Sequence, residues 1–235
     1  MRHSCAFPAE CQLSEAGDVQ PIPVVVVTPT ITGREQIFAG FRERLEQQTV
    51  EPLRHIWISE DPSWGSTEVH VRALVRVRNA LLRRASDHFS ALVSLDGWSG
   101  GYPQWAVMSD DDDVWDPWHL EELWETHLRH PSASLVYALT PPRANRAGAT
   151  IPNGAMVNEA LLDAAAVLRV GGYQYRDGWN EDVLADRLWV LEHGLERVYC
   201  SRPSYQWVRG DHEHAIDRYG REEHEAWQAQ ASKIT

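Results

Sequence analysis

Met108-Ser109-Asp110-Asp111-Asp112-Asp113-Val114-Trp115-Asp116-Pro117 places four consecutive carboxylates between the end of a short apolar run and a proline-started segment. Adjacent carboxylates repel and weaken a fold unless a cation or a set of donors neutralises them, and oxygen-only clusters suit hard ions such as magnesium, manganese or calcium. Gln104 to Met108 reads as the strand that delivers the run. Asp116-Pro117 reads as a helix start, a capping carboxylate followed by proline, with Leu120, Leu123, Trp124 and Leu128 on the buried face. A metal and diphosphate site between a strand and a helix is the expectation to test.

The chain on either side alternates strand and helix patterns. Upstream, Ile22 to Thr28 (IPVVVVT) is a continuous β-branched run, the mark of a strand covered on both faces. Residues 34–48 follow with Ile37, Phe38, Phe41 and Leu45 on one helical face, and Leu53 to Ser59 returns as a strand. This β-α-β unit implies a right-handed crossover and a parallel pair, whose ligands bind beyond the carboxyl ends of the strands. Thr67 to Ala85 is expected to be helical, with Val69, Ala73, Leu74, Val77, Ala80 and Leu81 inward and Arg72, Arg76 and Arg83 on a solvated face. Residues 89–95 (FSALVSL) are expected as another strand, followed by the glycine-rich loop DGWSGGYP.

Downstream, Ala133 to Leu139 reads as a strand and Pro141 to Thr150 as a basic loop. Ile151 to Met156 reads as a turn, and a helix rich in leucine and alanine is expected to run to about Leu168. Gly171-Gly172-Tyr173 marks a break. A helix after Asn180 is expected to turn Val183, Leu184, Leu188 and Leu191 inward, with Gly194 as its C-cap. Arg197 to Ser201 is the last expected strand. Residues 1–20 read as an irregular extension, 21–215 as one domain with halves of about 21–117 and 118–215, and 216–235 as a charged tail.

With 235 residues, 43% hydrophobic and 24% charged, the chain can bury a full core. A net charge of −12 argues against a protein that works by neutralising nucleic-acid phosphates. No run is long enough to span a bilayer and the start lacks the apolar block of a signal peptide, so a cytoplasmic location is expected. Three cysteines form neither a zinc pattern nor a disulfide framework. The 11 tryptophans are mostly core material, with a weak leaning toward sugar or nucleobase stacking.

Taken together, these motifs resemble a family-2 glycosyltransferase, and the likeness runs from about Val24 to His214. VVVVTPT resembles the family's opening strand and turn, Asp61 falls where the family has a uracil-binding aspartate, and Arg78-Asn79 resembles its arginine-asparagine helix. MSDDDDVWDPWHLE resembles the DxD strand-loop-helix. GGYQYRDGWNEDVLADRL resembles the family's glycine-glycine turn and glutamate-aspartate pair. The resemblance implies a single α/β domain of the GT-A (Rossmann-like) type, a mainly parallel central sheet flanked by helices.

It further implies an inverting transfer of a sugar from a UDP-linked donor to an acceptor hydroxyl, assisted by Mn2+ or Mg2+. Thr28, Pro29, Thr30, Asp61, Arg78, Asp110 and Asp111 would bind the donor nucleotide, and Asp112 with His212 the metal. Asp182 would be the general base that takes the acceptor proton, with Glu181 and Asp186 as rivals; Glu181, Trp179 and Gly154 would lie on the acceptor side. One departure is Glu60-Asp61-Pro62-Ser63, where proline stands in place of the family's glycine and fixes the backbone. The acceptor is expected to be a small molecule, lipid-linked or polymeric. Nucleic acid is disfavoured, with hydroxymethylated DNA as a narrower variant. Two other readings stand beside this one: a nucleotidyltransferase, which normally needs a glycine- and basic-rich loop where TPTITGR has one of each, and a sugar- or nucleotide-binding protein without catalysis.

Overall fold

The computed structural model describes residues 21–60, 66–96, 105–140, 143–144, 150–151 and 159–206, with isolated positions between 222 and 229. The first half comprises β1 (Pro21–Ile31), α1 (Glu35–Glu46), β2 (Glu51–Glu60), α2 (Thr67–Asp96), β3 (Trp105–Met108) and β4 (Val114–Trp115). The second comprises α3 (His119–Arg129), β5 (Leu135–Leu139), β6 (Arg143–Ala144), β7 (Thr150–Ile151), β8 (Ala160–Asp163), α4 (Ala164–Arg169), α5 (Glu181–Asp186), β9 (Arg197–Pro203) and β10 (Tyr205–Gln206). A π-helical turn, Arg187–Glu192, continues α5.

Six strands form one sheet in the order β2-β1-β3-β8-β5-β9. β1 lies parallel to β2 and β3, β9 lies parallel to β5, and β8 runs antiparallel to both of its neighbours. The valine run explains why this sheet is covered on both sides. Successive strand residues face opposite ways, so Val25 and Val27 enter a core with Val77 and Leu81 of α2, while Val24 and Val26 enter another with Phe41 of α1 and Leu120 and Leu123 of α3. Each such fully buried side chain contributes about 1.5–3 kcal/mol.

Several sequence expectations are corrected. No strand occupies 89–95, because α2 continues to Asp96; neither glycine nor proline interrupts Thr67–Asp96, and a short apolar run does not by itself separate strand from helix. The expected helix ending near Leu168 is divided into β8 and α4, since Asp163 accepts the Ala166 N–H at 2.9 Å and caps a new helix. Val69, Leu128, Val183 and Leu191 are exposed rather than buried. The first three lie in terminal turns of their helices, and the π-helical turn changes the angular step that would carry Leu191 inward.

Asp116 does not cap α3 through its side chain. The helix begins at His119, and the Leu120 N–H is accepted by Gln48 Oε1 at 3.1 Å. Gln48 Nε2 donates to the Asp116 carbonyl at 3.0 Å, so the end of α1 holds both the acidic loop's exit and the first turn of α3.

Candidate functional site

The site lies beyond the carboxyl ends of β1 and β3. The Ser109 N–H donates to the Val27 carbonyl at 3.0 Å, which carries the β1–β3 pairing one residue past β3 and fixes where the acidic run begins. Pro29 and Thr30 stand in register with Ile58 and Ser59 of β2. Thr30 Oγ1 donates to Asp111 Oδ2 at 2.6 Å. Thr28 Oγ1 is 3.0 Å from His55 Nε2, and burial, reinforced by Arg42, lowers that imidazole to about 4.

Two arginines pair with carboxylates of the run, and a third, Arg44, donates from Nη2 to the Asp113 carbonyl at 3.2 Å. Arg34, just before α1, reaches Asp111 Oδ1 with Nη1 and Asp112 Oδ2 with Nη2, each at 2.9 Å. Arg78 of α2, 1% exposed, places Nη2 2.8 Å from Asp110 Oδ1 and 3.4 Å from Glu181 Oε1, with its guanidinium 5.5 Å from the Tyr173 ring centroid. Burial alone would lower Arg78, but the carboxylates of Asp110 and Glu181 outweigh it and hold the guanidinium above its ordinary value. Asp110 is raised by burial and by the negative charges of Asp112 and Asp182, with Arg78 and Arg34 opposing. Burial also raises Asp111 to about 6, against Arg34 and the Thr30 hydroxyl.

Asp113 turns the other way. It is 2% exposed and hydrogen-bonded to the fully buried Glu159, and desolvation raises it to about 8. Glu159 accepts from Ser109 Oγ at 3.1 Å and from Trp115 Nε1 at 2.5 Å, with His119 Nε2 at 3.6 Å. Burial lowers His119 to about 3, so it is neutral, and desolvation together with Asp113 raises Glu159. Burial thus holds both carboxyls of the Asp113–Glu159 pair above the ordinary carboxylate range.

On the far side of Arg78, Asn79 secures the turn that leads to α5. Its Nδ2 donates to the Tyr173 carbonyl at 2.8 Å and its Oδ1 accepts the Tyr173 N–H at 2.9 Å. Gly172 is required there: its φ is +65, and a Cβ would come within 2.2 Å of Asn79 Oδ1. Asp182 sits in the first turn of α5, 9% exposed, with Oδ1 accepting the Val183 N–H at 2.7 Å. Burial raises Glu181 to about 7, with Arg78 opposing and Asp182 reinforcing. Trp179 is partly buried, and the Arg187 guanidinium lies 5.5 Å from its ring centroid.

Of the residues singled out from sequence, Thr30, Arg78, Asp110, Asp111, Asp112, Glu181 and Asp182 fall within one connected set of contacts and charges. Asp61, Gly154 and His212 lie outside the described residues. Asp186 is committed elsewhere, accepting from Tyr137 Oη at 2.9 Å and pairing with Arg197 at 2.5 Å. Sequence reasoning missed Arg34, Glu159 and His119. Arg34 carried one signal, a lone cation at the end of the first strand's turn.

The donor set is compatible with a hard cation. Among the described residues no three His, Cys, Asp or Glu side chains form a metal-holding group. Magnesium and manganese, however, are commonly held by one or two carboxylates plus substrate phosphates. Asp112 is a carboxylate of that type at 17% side-chain exposure, and the buried Oδ1 of Asp111 has only an ion pair and no hydrogen bond.

The mixed, mainly parallel sheet flanked by helices is that of the GT-A fold. S. aureus TarS 1-349 in complex with UDP-GlcNAc matches at a TM-score of 0.55 and 11% identity, covering 83% of this chain and 60% of the TarS chain. The same TarS fragment in complex with UDP gives 0.49 and 9% over 78% and 60% of the two chains. The mannosyltransferase PcManGT from Pyrobaculum calidifontis, in complex with GDP-Man and Mn2+, gives 0.49 and 16% over 94% and 68%. The protein thus spans 60% of the length of the TarS chain whose fold it shares. No family model and no curated protein matches the sequence. Among the described residues no helix is long and apolar enough to cross a membrane.

Proposed function

We propose that this protein is an inverting, metal-dependent glycosyltransferase of family-2 type that moves a sugar from a UDP-linked donor to an acceptor hydroxyl. The observation that carries the reading is the Arg78 bridge, which joins Asp110 of the acidic run to Glu181 beside Asp182 and so brings the proposed donor and acceptor residues to one place. TarS, which shares the fold, is in complex with UDP-GlcNAc.

In this reading Thr28, Pro29 and Thr30 line the nucleotide side together with Asp61, and Asp110 and Asp111 face the ribose or the metal's water shell. Asp112, with His212, holds a divalent cation, Mn2+ or Mg2+. When bound, it would supply Lewis-acid neutralisation of charge on the departing diphosphate. Asp182 accepts the proton of the attacking acceptor hydroxyl, and its bond from the Val183 N–H holds the carboxylate in position. One base opposite the leaving group inverts the anomeric centre. Trp179, Glu181 and Gly154 contact the acceptor.

A thermal-shift titration with UDP, with and without manganese, combined with turnover of a UDP-sugar, tests this. Wild type is expected to be stabilised by UDP more strongly with manganese. Asp112→Asn is expected to lose the manganese-dependent part, and Asp182→Asn to keep it while turnover falls about 10²–10⁴-fold. Undiminished turnover by Asp182→Asn rejects it as the base.

A further inference from the structure

We infer that Arg34 is a built-in counter-ion that competes with the divalent cation for Asp112, so that the cation binds well only after a nucleoside diphosphate has drawn Arg34 away. This rests on the proposed diphosphate and metal site.

The geometry is specific. Arg34 spans two neighbouring carboxylates with separate nitrogens, Nη1 to Asp111 Oδ1 and Nη2 to Asp112 Oδ2, both at 2.9 Å. Of the two, Asp111 is 1% exposed and already bonded to Thr30, whereas Asp112 is 17% exposed. The guanidinium therefore engages one oxygen of Asp112, and its positive charge repels an incoming ion. A ligand shifts such an equilibrium only by binding one arrangement better than the other. A diphosphate does so, because its oxygens match the guanidinium's planar fork as well as a carboxylate does.

The side chain has a route to move. Arg34 precedes α1 with its own side chain 18% exposed, and it follows Gly33, whose φ is +93 and beside which a Cβ would meet nothing within 4 Å. The backbone there is anchored by Thr32 N–H to the Glu60 carbonyl at 2.9 Å and Arg34 N–H to the Ile31 carbonyl at 3.2 Å. A fixed backbone carrying a long, partly exposed side chain permits exchange between partners without refolding the turn.

Free manganese measured by electron paramagnetic resonance provides the test, with the intact chain and no turnover required. In wild type, UDP is expected to tighten manganese binding about tenfold, and manganese to tighten UDP by the same factor, as linkage demands. Arg34→Gln is expected to bind manganese alone about tenfold more tightly than wild type and to show a smaller UDP effect. Manganese affinity in wild type that is independent of UDP overturns the inference, as does Arg34→Gln binding manganese alone no better than wild type. UDP binding with either of those results leaves the transferase reading standing. Absence of UDP binding removes both.

Discussion

One run of four aspartates is neutralised in two different ways. Asp110, Asp111 and Asp112 meet the guanidinium groups of Arg34 and Arg78, whereas Asp113 meets another carboxyl, Glu159, in an enclosure with Ser109, Trp115 and a neutral His119. At the front, two guanidinium groups offset the negative charge of the run. At the back, burial raises both carboxyls, and the pair ties the acidic loop to the residue before β8. The front of the run is thus built for exchange of partners and the back for permanence.

Three measurements would break or sharpen that contrast. Arg78→Met should have the largest effect, about 3–5 kcal/mol in urea unfolding, because it strands the Asp110 and Glu181 charges; a loss below 1 kcal/mol would mean that those carboxyls are not held as anions. Thr30→Val, nearly isosteric, removes the 2.6 Å bond to buried Asp111 and should cost about 1.5–3 kcal/mol in the same assay. The smallest effect belongs to Glu159→Gln. Asp113 is raised from 3.8 to about 8, so the stability it contributes is fully present below pH 3.8 and is lost as pH rises toward 8. Glu159 is itself raised by burial and by Asp113, so removing this second carboxyl should flatten the pair's dependence. Melting temperatures of variant and wild type should therefore shift in the variant's favour by the equivalent of about 1 kcal/mol between pH 4 and 8. A constant difference would show that the pair does not titrate between pH 4 and 8.

The fold was legible where a local pattern had only one physical solution. Four successive valines required cover on both faces, and the acidic run required a cation or a set of donors nearby. Two elements were misread for local reasons: FSALVSL lacks a breaker and remains helical, and Asp163 before three alanines was an available cap signal that divided a supposed helix. The partners of the site were less accessible. Thr30 and Asp111 are 81 positions apart, and Ser109 and Glu159 are 50 apart, so no spacing rule connects them. Arg78 was identified by resemblance, but its bridge to Glu181 depends on the packing of α2 near α5. Gln48 replaced Asp116 as the cap of α3 because the end of α1 reaches the loop, a tertiary contact that a helix-start rule cannot anticipate.

Asn79 has a consequence for how the chain reaches this state. Its side chain exchanges a donor and an acceptor with the backbone of Tyr173, 94 positions later, as a neighbouring strand would. A bridge of that sequence separation closes only after the intervening chain has ordered, and non-local closures of this kind slow folding. The glycine turn beside α5 is therefore held by a non-local contact rather than by its own segment. Its loss would free the segment bearing Asp182 from one of its ties to α2.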